Sequence, residues 1–154
     1  MRIFFFRHAE AEDSAANDFS RQLTARGSKR TQAAARALSK LGLAPAHIYS
    51  SPRVRARQTA DILAQALGLS VEEREELNFG FDEVRLRQLL AAVKGADEVI
   101  LVGHEPSLSS TVQALTGATI EMKKGGCARV DLVDDHPAVL IWLIAPKIFD
   151  ALGE

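Results

Sequence analysis

A chain of 154 residues, 47% hydrophobic and 25% charged, can bury about 70% of its unfolded surface in one core, so it needs neither metal nor disulfide to fold. Its net charge of -1 gives no electrostatic case for binding nucleic acid or an anionic membrane. Its one cysteine, Cys127, cannot form an internal disulfide, and with no charged-then-apolar leader or long apolar span the chain is expected to be a cytoplasmic protein folded as a single domain over 1–154.

The chain opens on Ile3-Phe4-Phe5-Phe6, a continuous apolar run closed by Arg7-His8. Such runs read as strands covered on both faces, and hence as members of a parallel sheet. Thr24 then caps a helix whose Ala34, Leu38 and Leu41 share one face, with Gly42 following where a left-handed residue is favoured. His47-Ile48-Tyr49-Ser50 is a second strand. Ser51 as N-cap and Pro52 at the first helical position open a second helix, striped by Ala56, Ala60, Leu63 and Leu67 and stopped at Gly68. A third helix runs from Asp82 to Val93, burying Leu86, Leu89, Leu90 and Val93. Val99-Ile100-Leu101-Val102-Gly103 is another buried strand ending at His104, and a fourth helix opens at Pro106 with Leu108, Val112 and Leu115 inward. Cys127 to Val133 and Ala138 to Ile144 are the last two strands, joined through Asp134-Asp135-His136-Pro137 as an antiparallel edge. This alternation, without repeats or linkers, predicts a three-layer α/β/α fold around a mostly parallel sheet.

In such sheets ligands bind at the carboxyl ends of the strands. His8 and His104 both stand where a buried strand ends, and Arg55 lies one turn into a helix that starts at the same edge. Arg55 is followed by Thr59, Ile62 and Ala66, a row adjoining the apolar stripe, so it leans inward while Arg53 and Arg57 project elsewhere. Alone, an inward arginine is most simply the partner of a local carboxylate, because an unmatched buried charge is expensive. Two histidines beside Arg7 and Arg55 turn the preference to a phosphate. His47, at a strand start, and His136, in a turn, read as ordinary histidines. None of the four falls at metal-ligand spacing, so no metal and no cofactor is predicted.

Four blocks, Arg7-His8-Ala9-Glu10-Ala11-Glu12, Arg21-Gln22-Leu23-Thr24-Ala25-Arg26-Gly27, Ser51-Pro52-Arg53-Val54-Arg55-Ala56-Arg57-Gln58-Thr59 and Gly103-His104-Glu105-Pro106, together resemble the histidine phosphatase superfamily, with its phosphoglycerate-mutase-like fold. The short length and the Arg21 block look most like SixA-type phosphohistidine phosphatases. The resemblance implies that His8 is a nucleophile that becomes phosphohistidine, that Arg7, Arg55 and His104 grip the transferred phosphoryl oxygens, and that Arg21 is a second-rank substrate-binding residue. Chemistry supports these roles: a neutral imidazole is a good nucleophile near neutral pH, and a covalent intermediate divides one hard displacement into two easier ones. A phosphate beside His104 would stabilise the imidazolium and raise its pKa.

The superfamily's commonest form has glycine after Arg-His, where this chain has Ala9; one methyl group removes no catalytic function. Ester hydrolysis needs a general acid for an alkoxide leaving group, and the carboxylates available to serve are Glu76, then Asp82, Glu83 and Glu105. Glu72, Glu73, Glu75 and Glu76 form a charge run that reads as a solvated face. An imidazole leaving group is far less basic than an alkoxide, and no lid-length insertion is present, so the expected substrate is a phosphohistidine displayed on a protein. The alternatives are a small-molecule phosphomonoesterase of the same superfamily and a non-catalytic phosphate-binding module.

Overall fold

In a computed structural model, which describes residues 1–93 and 95–154, the strands form one sheet in the order β3-β2-β4-β1-β5-β6. These are β1 (Arg2–Arg7), β2 (His47–Ser50), β3 (Val71–Glu73), β4 (Glu98–Gly103), β5 (Cys127–Asp131) and β6 (Val139–Ile144). The first four run parallel, β5 runs antiparallel to β1, and β6 antiparallel to β5. The helices are α1 (Ala25–Lys40), α2 (Val54–Leu67), α3 (Glu83–Ala91), α4 (Ser107–Thr116) and α5 (Pro146–Leu152).

The apolar run of β1 explains the layering. Strand side chains alternate between faces, so Phe4 and Phe6 pack with Ala34 and Leu38 of α1, Ala56, Ala60 and Leu63 of α2 and Phe149 of α5. Ile3 and Phe5 pack on the other side with Leu86 and Leu89 of α3 and Leu108 and Val112 of α4. Fully burying one such phenylalanine is worth about 1.5–3 kcal/mol, and Phe4, Phe5 and Phe6 are all at most 1% exposed. The sheet is therefore covered on both faces, as the continuous apolar runs require.

Thr24 caps α1 as expected, its hydroxyl accepting from the Gly27 N–H at 2.9 Å. A Cβ at Gly27 would sit 2.1 Å from the Glu10 carbonyl oxygen, so glycine is what lets α1 seat against the segment that follows β1. Gly68 ends α2 at φ 70°, in the left-handed region.

Several boundaries differ from the sequence reading. Leu41 is the C-cap of α1 and 52% exposed, outside the buried stripe. Helix α2 begins at Val54 with Arg53 as N-cap, so Ser51 and Pro52 precede it. Helix α3 stops at Ala91, and Val93 is buried beyond its end. Strand β5 stops at Asp131, where the Leu132 N–H turns to the Met1 carbonyl at 2.8 Å. Within the glutamate run lies β3, a three-residue edge strand paired with β2. Its charged side chains suit an edge exposed to water, which is why the composition masks it. Helix α5, opened by Pro146, follows β6 directly.

Candidate active site

Register places the site. In β1 and β4, Phe6 pairs with Val102 and Arg7 with Gly103, while Ser50 of β2 also pairs with Val102. The three neighbouring strands thus end level, and the next residues, His8, His104 and Ser51, emerge at one edge. The His8 N–H donates to the Gly103 carbonyl at 3.0 Å, and the two imidazole centroids are 5.3 Å apart.

His8 is 6% exposed. Its Nδ1 lies 2.8 Å from the Ala9 carbonyl oxygen, which can only accept, so Nδ1 carries the proton and Nε2 keeps the lone pair. Arg55 Nε approaches that Nε2 at 3.4 Å. Burial, first, and then the charges of Arg55, Arg7 and Lys124, hold the His8 pKa down to about 4, so the ring is neutral near pH 7. Thr59 fixes the arrangement: its buried hydroxyl accepts from the Ala9 N–H at 3.1 Å and donates to the Arg55 carbonyl at 2.8 Å. One side chain thereby ties the loop that follows His8 to the first turn of α2.

His104 is 2% exposed, with Nε2 2.7 Å from Ser51 Oγ. The Arg53 N–H donates to that same oxygen at 3.3 Å; when the hydroxyl donates to Nε2, His104 carries its own proton on Nδ1. Burial, reinforced by His8, Arg55 and Arg53, lowers the His104 pKa to about 3. This is opposite in direction to the rise expected beside a phosphate. The ring is thus neutral near pH 7, and a bound anion would raise its pKa. Among the described residues, the buried side-chain nitrogens without a hydrogen-bond partner are His104 Nδ1 and Arg7 Nε. Both belong to this cluster, and unpaired buried polar atoms are costly enough that each calls for an explanation such as a functional role.

Arg7 ends β1, and its Nη1 donates to the Met122 carbonyl at 2.8 Å. It borders a cleft of about 400 Å³ that also touches Lys123 and Lys124. Arg55 is 4% exposed and its inward direction is as the helical count expects. It donates through Nη1 to the Asp18 carbonyl at 2.9 Å and through Nη2 to Asp18 Oδ2 at 3.2 Å. The local carboxylate that a lone inward arginine calls for is therefore present alongside the two histidines.

Asp18 is the residue sequence reasoning missed. It lies in a 3-10 turn, Asp18–Ser20, and also binds Arg21 Nη1 at 3.0 Å and Arg53 Nη1 at 2.7 Å. The hydrogen bond from Arg21, with the nearby charges of Arg55 and Arg53, holds its carboxyl below the usual range. Arg21 thus reaches the site through Asp18, with its Nε on the Glu12 carbonyl. Arg53 corrects the sequence reading too. It does not project away: because α2 starts at Val54, Arg53 sits at the N-cap and turns its guanidinium between Asp18 and Asn78 Oδ1, the latter at 2.7 Å. Arg57 does project outward, to Asp61 and Glu73. The α2 N-terminus has no side-chain cap, so its first N–H groups add to the donors at this edge.

The middle-segment carboxylates are all engaged. Glu76 accepts from Arg74 through both oxygens, at 2.8 and 3.3 Å, and the first effect of that bond is to lower its pKa. Asp82 caps α3 on the Arg85 N–H, Glu83 pairs with Arg87 on the surface, and Glu105 accepts from the Ser109 N–H and hydroxyl. None of the four is hydrogen-bonded to His8 or His104.

Residues 3–80, about half of the chain, match the model of the histidine phosphatase superfamily (branch 1). The chain belongs to that superfamily. It is 36% identical to an uncharacterized protein of a Picosynechococcus strain, over 96% of this chain and 98% of that protein. It is 34% identical to a phosphohistidine phosphatase SixA homolog of Haemophilus influenzae, over 76% and 78% of the two chains. Among solved structures, the protein histidine phosphatase SixA complexed with tungstate superposes at a TM-score of 0.89, with 26% identity and coverage of 96% and 99%. The fold expected from the strand and helix pattern is thus the fold of this superfamily. Among the described residues, no helix is long and apolar enough to cross a membrane.

Proposed function

We propose that this protein is a phosphohistidine phosphatase that removes phosphate from a protein phosphohistidine through a covalent phospho-His8 intermediate. The His8 ring carries this reading. Its Nδ1 proton is committed to the Ala9 carbonyl, its pKa is about 4, and its Nε2 lone pair faces Arg55. A binding module needs the arginines but has no use for a neutral imidazole held in one tautomer with the free nitrogen among guanidinium groups. Likeness to SixA-type proteins and to a structure holding tungstate, a phosphoryl mimic, supports the same reading.

In the first step His8 Nε2 bonds to phosphorus while the phosphorus–nitrogen bond of the substrate breaks. The substrate reacts as its phosphoimidazolium, whose other ring nitrogen carries a proton, so the imidazole departs neutral. In the second step water attacks phosphorus as the bond to His8 Nε2 breaks; the water protons leave with the phosphate, which loses one to solvent, and the His8 lone pair is restored. Arg55, Arg7 and the His104 Nδ1–H act on the phosphoryl oxygens, whose charge they match, with Arg55 exchanging its contacts to Asp18 for the incoming group. No carboxylic acid enters this scheme, in keeping with Glu76, Asp82, Glu83 and Glu105 being engaged elsewhere. Arg21 acts indirectly, by orienting Asp18 and through it Arg55. The scheme uses no metal ion, and the partner is a phosphohistidine-bearing protein met by a single domain in the cytoplasm.

Specificity constants for a phosphohistidine protein, a phosphohistidine peptide and a panel of small phosphomonoesters test the assignment. The nitrogen–phosphorus substrates should be hydrolysed at least tenfold better. Faster turnover of an ester, with one middle carboxylate indispensable for it, would instead establish the small-molecule phosphomonoesterase.

A further inference from the structure

Beside the histidines the structure carries aromatic side chains that the phosphoryl chemistry does not use. Phe79 meets the His104 ring edge-on, with centroids 4.9 Å apart and planes at 73°. The Arg55 guanidinium carbon is 5.7 Å from the Phe79 centroid, so Phe79 borders both groups assigned to the phosphoryl oxygens. Phe19 follows Asp18, whose carbonyl and carboxylate hold Arg55. Phe79 is 48% exposed and Phe19 43%. Two half-exposed aromatics that share one guanidinium, that of Arg53, beside the groups assigned to the phosphoryl oxygens leave apolar surface available to a ligand.

Arg53 is the spacer. Its guanidinium carbon lies 3.6 Å from the Phe79 centroid and 5.7 Å from that of Phe19. Its Nε is bound to Asn78 and its Nη1 to Asp18, one residue before each phenylalanine. The Phe79 N–H donates to the same Asn78 Oδ1, at 2.8 Å. One guanidinium therefore bridges the two turns that carry these aromatic lips. Phe79 also lines a cleft of about 480 Å³ with Arg53, Glu75, Glu76, Asn78 and Arg85, with room for what the leaving group is attached to.

We propose that Phe19 and Phe79, spaced by Arg53, are specificity-determining residues that receive the leaving group and select a planar ring over an aliphatic chain. This rests on the reading of His8 and its neighbours as the phosphoryl-transfer centre, and it deepens that reading by naming what recognises the imidazole of the substrate. A ring face gains from offset or edge-on contact with phenylalanine, whereas an alkyl chain gains only burial. Arg53, already committed to Asp18 and Asn78, is a positioning residue for the lips.

The test compares ringed and ringless ligands on the whole protein. The ratio of kcat/KM for phosphoimidazole to that for phosphoramidate cancels effects on phosphorus–nitrogen cleavage itself. Phe79→Ala should lower the ratio roughly three- to tenfold, the scale of one aromatic contact, and Phe79→Tyr should restore it to within about twofold of wild type. Phe19→Ala should move it in the same direction, and Arg53→Lys should lower it while thermal unfolding confirms a folded chain. A second ratio, the Kd of phenylphosphonate to that of methylphosphonate, needs no turnover and should shift against the phenyl ligand in the same variants. Ratios unchanged within about twofold in both phenylalanine variants would overturn the proposal. If wild type cleaves neither nitrogen–phosphorus substrate, the phosphohistidine reading falls, and the phosphonate ratio still decides for or against the lips.

Discussion

The floor of the site and its rim are built by different means. His8, His104, Arg7 and Ser51 stand at or next to the ends of buried parallel strands, where register leaves them little freedom. Asp18, Phe19 and Phe79 lie instead in short turns bridged by the Arg53 side chain. On the proposed reading, the chemistry is inherited from the sheet while selectivity is carried by turns held through side-chain contacts. Floor substitutions should therefore abolish turnover, and rim substitutions should redistribute it among substrates.

The largest effect is expected at His8. His8→Ala should leave the fold intact and lose at least a thousandfold in turnover, since no neighbouring group supplies a neutral nucleophile; retention of a tenth of wild-type activity would place the chemistry elsewhere. Arg55→Ala and His104→Ala should each lower turnover on the order of a hundredfold, the scale of one preorganised oxyanion donor. If Arg55→Ala behaved like a surface substitution, the floor would not be distinct from the rim.

Thr59→Val comes next. It preserves shape but strips Ala9 N–H of its buried acceptor, which costs about 1–3 kcal/mol. Stability measured in denaturant should fall accordingly, and kcat should fall with it because His8 and Arg55 lose their common tether. A smaller effect is expected at the rim. Asp18 occupies Arg55 donors that an incoming phosphoryl group needs, so Asp18→Asn should tighten competitive inhibition by tungstate severalfold. Unchanged or weaker inhibition would show that Asp18 orients the arginine without competing.

What was legible in the sequence follows the same division. Apolar runs capped by Arg7-His8 and by His104 exposed the strands and their ends, and helix periodicity turned Arg55 inward. Arg53 was misread because Ser51-Pro52 looks like a helix start; the helix begins two residues later, and the Ser51 hydroxyl meets His104 instead. Asp18 and the phenylalanines carry no period and no local motif, since only tertiary contact brings residue 18 to residues 53 and 55. Strand β3 was hidden for another reason: a three-residue edge strand is held by backbone pairing and tolerates glutamates that disguise it. The direction of the His104 shift also lay beyond the sequence, because burial, its first cause, is a property of the fold.

Titration gives the mildest contrast. His8 and His104 have folded pKa values near 4 and 3, below the ordinary 6.5 of an unfolded histidine. Between about pH 6.5 and 4 the unfolded chain therefore binds more protons than the native one, and stability should fall as the pH drops through that window. His8→Ala should flatten this slope in thermal unfolding. The acid limb of kcat/KM, corrected for substrate ionisation, should lie near 4 and not near 6.5.

The covalent intermediate is the central claim, and trapping it is the most direct test. Wild-type protein mixed with phosphorus-labelled phosphohistidine substrate and quenched rapidly without acid should carry acid-labile, alkali-stable label on His8 Nε2, formed in a burst before steady turnover and missing from His8→Ala. Label on any other residue, or steady release of phosphate with no labelled protein at any time, would contradict the account.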